Sequence, residues 1–165
     1  MTPRREILWK PVFIVTVATL AVAMIGGALT ELGPWYRTLQ KPPWQPPDWV
    51  FPPAWTIIYA LAATSALLAW RGASDRAQTT RIIALFAVNG GLNVLWSGLF
   101  FTFQRPDWAL VEVVLLWLSI VVLIVAVAGA SKTASWLLVP YLAWVTFAAI
   151  LNFEVMRLNA PFAGP

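Results

Sequence analysis

The sequence contains no cysteine and no histidine. Without cysteine there is no disulfide, no thiolate nucleophile and no thiolate metal ligand. Without histidine there is no imidazole base, no Cys/His zinc site and no His-ligated haem, so no metal site is expected. Most enzyme classes that work by acid/base or metal chemistry are thereby removed. Charge is also scarce, with Asp, Glu, Lys and Arg making up 11% of the 165 residues. The 11 Lys+Arg against 7 Asp+Glu are scattered along the chain, so they form no nucleic-acid patch and report topology instead.

What the chain holds in abundance is apolar surface. At 60% hydrophobic residues, a chain of this size cannot hide that surface in a soluble core, and a lipid bilayer must surround it. Length argues for one domain over 1–165. Five apolar segments, each near the ~20 residues that a ~30 Å hydrocarbon core demands, fall at 11–30, 50–70, 81–103, 108–129 and 134–156. The expected fold class is all-α, a five-helix transmembrane bundle. Arg4, Arg5 and Lys10 precede the first segment as in a signal peptide. Its apolar stretch is long and no A-x-A site follows, so a retained helix is expected. Short linkers make successive helices antiparallel neighbours, and only the connection 31–49 is long, as functional loops are. Seven Lys/Arg lie on the side of the N-terminus (Arg4, Arg5, Lys10, Arg71, Arg76, Arg81, Lys132) and four on the other (Arg37, Lys41, Arg105, Arg157). The N-terminus is therefore expected in the cytoplasm, with the long loop outside.

That loop runs into the second segment as KPPWQPPDWVFPPAWTIIY, with six prolines and three tryptophans between Lys41 and Tyr59. Pro42, Pro43, Pro46 and Pro47 stiffen it near polyproline geometry without needing backbone partners, which suits a preformed lid. Trp44 and Trp49 by themselves read as an interfacial aromatic belt. Pro52 and Pro53 fit the first turn of a helix. Trp55, Tyr59, Ala62 and Ala66 share one face, large near the lid and small deeper down, as a cavity under an aromatic entrance requires.

In the third segment, Ala87, Gly91 and Gly98 fall within about 40° of one another at about 100° per residue. Such a small-residue stripe lets helices approach closely in lipid and is read as a homodimer face. Asn89, Asn93, Trp96 and Phe100 cluster opposite, and intramembrane amides face a partner or a cavity. Their readings as interhelical hydrogen bonds and as ligand contacts are equally weighted. In the last segment Leu137, Tyr141, Trp144, Ala148 and Asn152 form a comparable stripe. Glu154 and Arg157 are spaced for a local ion pair. Asp107 and Glu112 suit a helix N-terminus and are assigned no chemistry.

The motifs PPWQPP (42–47), WVFPPAW (49–55), NVLW (93–96), VPYLAW (139–144) and LNFEVMRLN (151–159), in this order over nearly the whole chain, resemble the tryptophan-rich sensory protein family, TspO/MBR, which includes the translocator protein. The resemblance is to a bacterial member. It implies a dimeric five-helix bundle, in the inner membrane or, as the alternative, the outer, whose pocket under the first loop binds protoporphyrin IX and haem-like tetrapyrroles as ligands, with no obligatory cofactor. Carried over by position, the pocket would be lined by Trp35, Tyr36, Trp55, Tyr59, Asn93, Trp96, Ser97, Trp144 and Ala148, under a lid of Pro42, Trp44, Pro46, Pro47 and Trp49. Phe153 stands where the sterol-recognition segment of animal members has tyrosine, which argues against sterol binding by that motif. Gln45 stands where many relatives have Asn or Thr. The implied function is a tetrapyrrole-binding sensor or regulator. The alternatives are light- and oxygen-dependent porphyrin degradation, with Trp55 and Trp144 as its candidate residues, and a transporter. Against the last, the chain shows no duplicated half.

Overall fold

The computed structural model describes residues 6–162, so Arg4 and Arg5, counted above for topology, lie outside the described residues. Helix α1 covers Glu6–Leu29, the short α2 Pro34–Thr38, α3 Phe51–Gly72, α4 Arg76–Ser97, α5 Pro106–Ala128, α6 Lys132–Leu137 and α7 Val139–Asn159. A 3₁₀ turn at Asp48–Val50 leads into α3, and a π-helical turn at Gly98–Thr102 continues α4. The described residues contain no strand. Five helical stretches are long and apolar enough to cross a membrane: Trp9–Leu29, Asp48–Gly72, Arg76–Thr102, Pro106–Ala128 and Lys132–Asn159.

The spans match the apolar segments and differ at their ends for local reasons. Helix α4 starts five residues earlier than its hydrophobic run, because the Asp75 side chain accepts from the Gln78 amide at 2.7 Å and caps it. This bond, ahead of the Ser74 and Ala77 contacts and the Arg81 charge, holds the Asp75 carboxyl below the usual range. The last span is broken at Leu138, between α6 and α7. Pro140 has no amide hydrogen, and its ring clashes with the carbonyl four residues back. Nothing in the sequence reading anticipated α2, which begins with Pro34 at its first turn.

Helix α5 is the hub, packing on α4, α6 and α7. Val113, Leu116, Ile120, Leu123 and Val127, at helical spacing, are buried to 2% exposure or less. Helix α1 packs only at the flank, on α3, α4 and the π-turn. A Cβ on Gly72 would stand 2.2 Å from the Ala130 carbonyl oxygen. Only glycine lets the α3–α4 loop meet the α5–α6 loop so closely.

Candidate functional site

Proline sets the path of the lid, and hydrogen bonds at its two ends fix it. The Gln45 amide donates to the Pro42 carbonyl at 3.0 Å, closing a turn over Pro43 and Trp44. The Gln40 amide donates to Asn159 Oδ1 and Asn159 Nδ2 donates to the Gln40 carbonyl, both at 2.8 Å, which ties the lid to the end of α7. Tyr36 OH donates to Asp48 Oδ1 at 3.0 Å and accepts from Gln45 Nε2 at 3.2 Å, while Lys41 Nζ sits 3.6 Å from the centre of its ring. Burial, followed by the hydrogen bond to Asp48 and its charge, pushes the Tyr36 phenol up to about 12. Pro42 is buried, Pro46 half-buried and Pro47 exposed. Trp49 is 74% exposed, as the belt reading expects, and Trp44 turns its edge to Phe147 at 6.0 Å.

Beneath the lid the aromatic residues form two clusters. Trp55 is the hinge of the first: it stacks on Tyr59 at 5.5 Å and meets Trp144 and Tyr141 edge-on at 6.3 and 6.4 Å. Trp144 continues to Phe51 and Phe147, and Ala148 is half-buried one turn further along α7. The second cluster joins Trp35, Tyr36 and Trp96 through Phe100 and Phe101. The π-turn creates it: an extra residue per turn rotates both phenylalanines relative to α4, a device frequent at functional sites. The structure thus brings Trp55, Tyr59, Asn93 and Trp144 together, and groups Trp35, Tyr36 and Trp96 beside them. Ser97 is buried and lies near Gly26 of α1.

A hydrogen-bonded chain crosses four helices below the first cluster. Tyr59 OH donates to Asn93 Oδ1 at 2.7 Å, Asn93 Nδ2 to the Tyr141 oxygen at 3.1 Å, Tyr141 OH to Asn89 Oδ1 at 3.3 Å and Asn89 Nδ2 to Ser119 at 2.8 Å. Each intramembrane amide therefore finds a protein partner, and Asn93 also reaches Tyr59 at the foot of the aromatic cluster. Trp96 Nε1 donates to Asn152 Oδ1, whose Nδ2 donates to the Pro106 carbonyl. In contrast, Trp144 Nε1 is buried and has no hydrogen-bond partner among the described residues.

Other expectations separate. Ala62 and Ala66 do border a cavity of about 180 Å³, but it lies between α1, α3 and α4 in the half away from the lid, with Trp70 on its wall. The small-residue stripe is divided: Ala87 and Gly91 are exposed, whereas Gly98 is buried, and a Cβ there would meet Leu29 of α1 at 3.7 Å. Glu154 and Arg157 form the expected ion pair at 2.7 Å. Asp107 pairs with Arg105 in the first turn of α5, but Glu112 is a correction. It lies deeper, 4% exposed, with neither carboxyl oxygen partnered among the described residues, because α5 turns this position toward the bundle rather than toward the membrane surface.

Asn159 and Asp48, which hold the lid, escaped the sequence reading. The LNFEVMRLN motif contains the former, but no periodicity marks it as a lid anchor.

Comparison with known proteins agrees with this architecture. The TspO/MBR family profile matches residues 7–158. The chain is 46% identical over 143 residues to the tryptophan-rich protein TspO of Chlorobaculum tepidum, covering 85% of this chain and 90% of that one. It is 37% identical over 147 residues to protein CrtK of Rhodobacter capsulatus, covering 89% and 92%. To the human translocator protein it is 33% identical over 161 residues, covering 94% of each. With five membrane-crossing helices and a family match over almost its whole length, the chain is an integral membrane protein and belongs to the TspO/MBR family.

Proposed function

We propose that the protein is a membrane sensor or regulator that binds a tetrapyrrole of the protoporphyrin IX type under its lid. The observation that carries this reading is the buried Trp144 Nε1, a hydrogen-bond donor without a partner among the described residues, in a wall otherwise made of indole and phenyl faces. A buried donor left unpaired costs about 1–3 kcal/mol, and an acceptor on a flat aromatic ligand would recover it. Indole faces suit the ring system, and the exposed Arg37 with Lys41 over Tyr36 supply cations at the rim for anionic propionates. The aromatic clusters would separate to admit the ring, with Tyr59 and Asn93 at the floor. The cation count supports placing the lid outside the cytoplasm.

The test is a protoporphyrin IX titration followed by tryptophan fluorescence, first in the dark and then illuminated. Losing a buried aromatic anchor commonly costs at least ~2 kcal/mol of binding, and ~1.4 kcal/mol is tenfold in affinity. Trp55→Ala and Trp144→Ala should weaken binding more than about tenfold. Trp136→Ala, at a side chain 73% exposed, should leave it within about twofold. Equal losses in all three, with folding intact, would mean adsorption to an aromatic surface and remove the site. Loss of the porphyrin absorbance only under illumination in oxygen would point to degradation instead of sensing.

A further inference from the structure

The cavity in the half of the bundle away from the lid meets the first aromatic cluster only at its inner end, through Tyr59 and Tyr141. Ala18 and Thr19 of α1, Ala63 and Ala66 of α3 and Gly90 of α4 form its walls, with Tyr59 at its inner end and Trp70 at its outer end. The small side chains keep the space open, and α1 and α4 meet only at its inner end, where the Val22 side chain lies against Gly90. A Cβ on Gly90 would lie 3.0 Å from Val22. Its polar floor is occupied, since Tyr59, Asn93, Tyr141 and Asn89 bond to one another. Apart from the Thr19 hydroxyl the remaining walls are apolar, so the occupant they fit is a hydrocarbon chain.

Three features identify whose chain it is. Ile14, Ala18 and Ile83 line the cavity and are exposed, so it opens sideways between α1 and α4 at membrane depth. Ala87 is shared with the small-residue face of α4, but these three are not. From Tyr59 to Trp70 the slot runs about 16 Å at ~1.5 Å per residue, and one leaflet of a ~30 Å hydrocarbon core is ~15 Å deep. The outer end then reaches a basic rim. Lys10 stands one turn before Ile14, Arg71 follows Trp70 and Arg81 precedes Ile82, all exposed, and none is in an ion pair among the described residues. Asp75, close enough to feel the Arg81 charge, is the one acidic residue in the α3–α4 loop.

We infer that this cavity binds one acyl chain of an anionic phospholipid, whose phosphate is held at the rim by Lys10, Arg71 and Arg81. Cations at this end are also what topology alone demands. A topological role, however, requires neither an adjoining slot one leaflet deep nor the retention of a single lipid.

Native mass spectrometry of the full chain in detergent, titrated with phosphatidylglycerol or phosphatidylcholine of identical acyl chains, separates the two. The expected result is one phosphatidylglycerol retained per chain, at least fivefold over phosphatidylcholine. Ala66→Phe, which fills the slot, should reduce that retention at least fivefold with the helical circular dichroism unchanged. Should that variant lose its fold, Ala18→Phe fills the slot from the α1 side. Replacing Lys10, Arg71 and Arg81 together with Gln should bring phosphatidylglycerol down to the phosphatidylcholine level. Glycerol phosphate, a head group without chains, should not be retained. Equal retention of the two lipids by the unaltered protein, or undiminished retention in a folded slot-filled variant, overturns the assignment. The measurement contains no tetrapyrrole, so it stands or falls independently of the lid site.

Discussion

Asn152 and Glu112 are both polar, both buried in the bundle and opposite in consequence. Asn152 is 1% exposed and uses both ends of its amide, accepting from Trp96 Nε1 at 3.1 Å and donating to the Pro106 carbonyl at 2.8 Å. It fastens α7 to α4 and to the start of α5. Asn152→Leu would leave the Trp96 indole donor without its partner, at about 1–3 kcal/mol, and remove the tie to the start of α5. The expected outcome is a clear fall in the thermal unfolding midpoint in detergent. Glu112 makes no such bonds among the described residues, and a buried carboxyl without a partner is costly in hydrocarbon. Glu112→Leu should therefore hold or raise the midpoint in the same assay. A fall as large as that of Asn152→Leu would show that Glu112 has a partner in the membrane.

At the scale of elements, the lid behaves as one unit because proline sets its path and hydrogen bonds fix its ends. Tyr36 lies at its centre with a phenol raised to about 12, against an ordinary value of about 10. The folded lid thus favours the neutral phenol. Its contribution is whole below about pH 10 and is lost as pH rises toward 12. Tyr36→Phe should flatten the part of the alkaline stability loss that falls in this window, measured by thermal unfolding from pH 9 to 12; an unchanged slope would mean that the lid does not depend on the phenol. The long elements were legible in the sequence because an apolar run of membrane length has one structural outcome. The aromatic face of Trp55 and Tyr59, and the inward amides Asn89 and Asn93, were legible for the same reason, helical spacing. What escaped was set by partners distant in sequence. Asn159 pairs with Gln40 across 119 positions of the sequence, and the π-turn that re-aims Phe100 and Phe101 leaves no mark in the spacing. The break at Leu138 was visible as Pro140, but the apolar run on both sides of it masked the signal.

For the whole molecule, the loose flank decides how copies could associate. Helix α5 packs on α4, α6 and α7 with one side and leaves Val111, Val114, Leu118 and Val125 exposed on the other, and α1 and the outer face of α4 are open as well. Val88 and Leu95 are 58% and 46% exposed beside Ala87 and Gly91. No heavy atom comes within 4 Å of a Cβ built at Gly91, so a larger side chain there disturbs nothing within one protomer. We propose that this face pairs two copies, now without Gly98, which Leu29 of the same chain already covers. Small residues allow close backbone approach in lipid, where packing rather than hydrophobicity drives association. Gly91→Leu should therefore convert a dimer into monomers while leaving helicity and tetrapyrrole affinity nearly unchanged. Gly98→Leu should instead disturb the α1 packing and lower thermal stability without acting on assembly directly. Sedimentation in detergent, with cross-linking in membranes, separates the two, and a dimer that survives Gly91→Leu in both would place the interface on another face of the bundle.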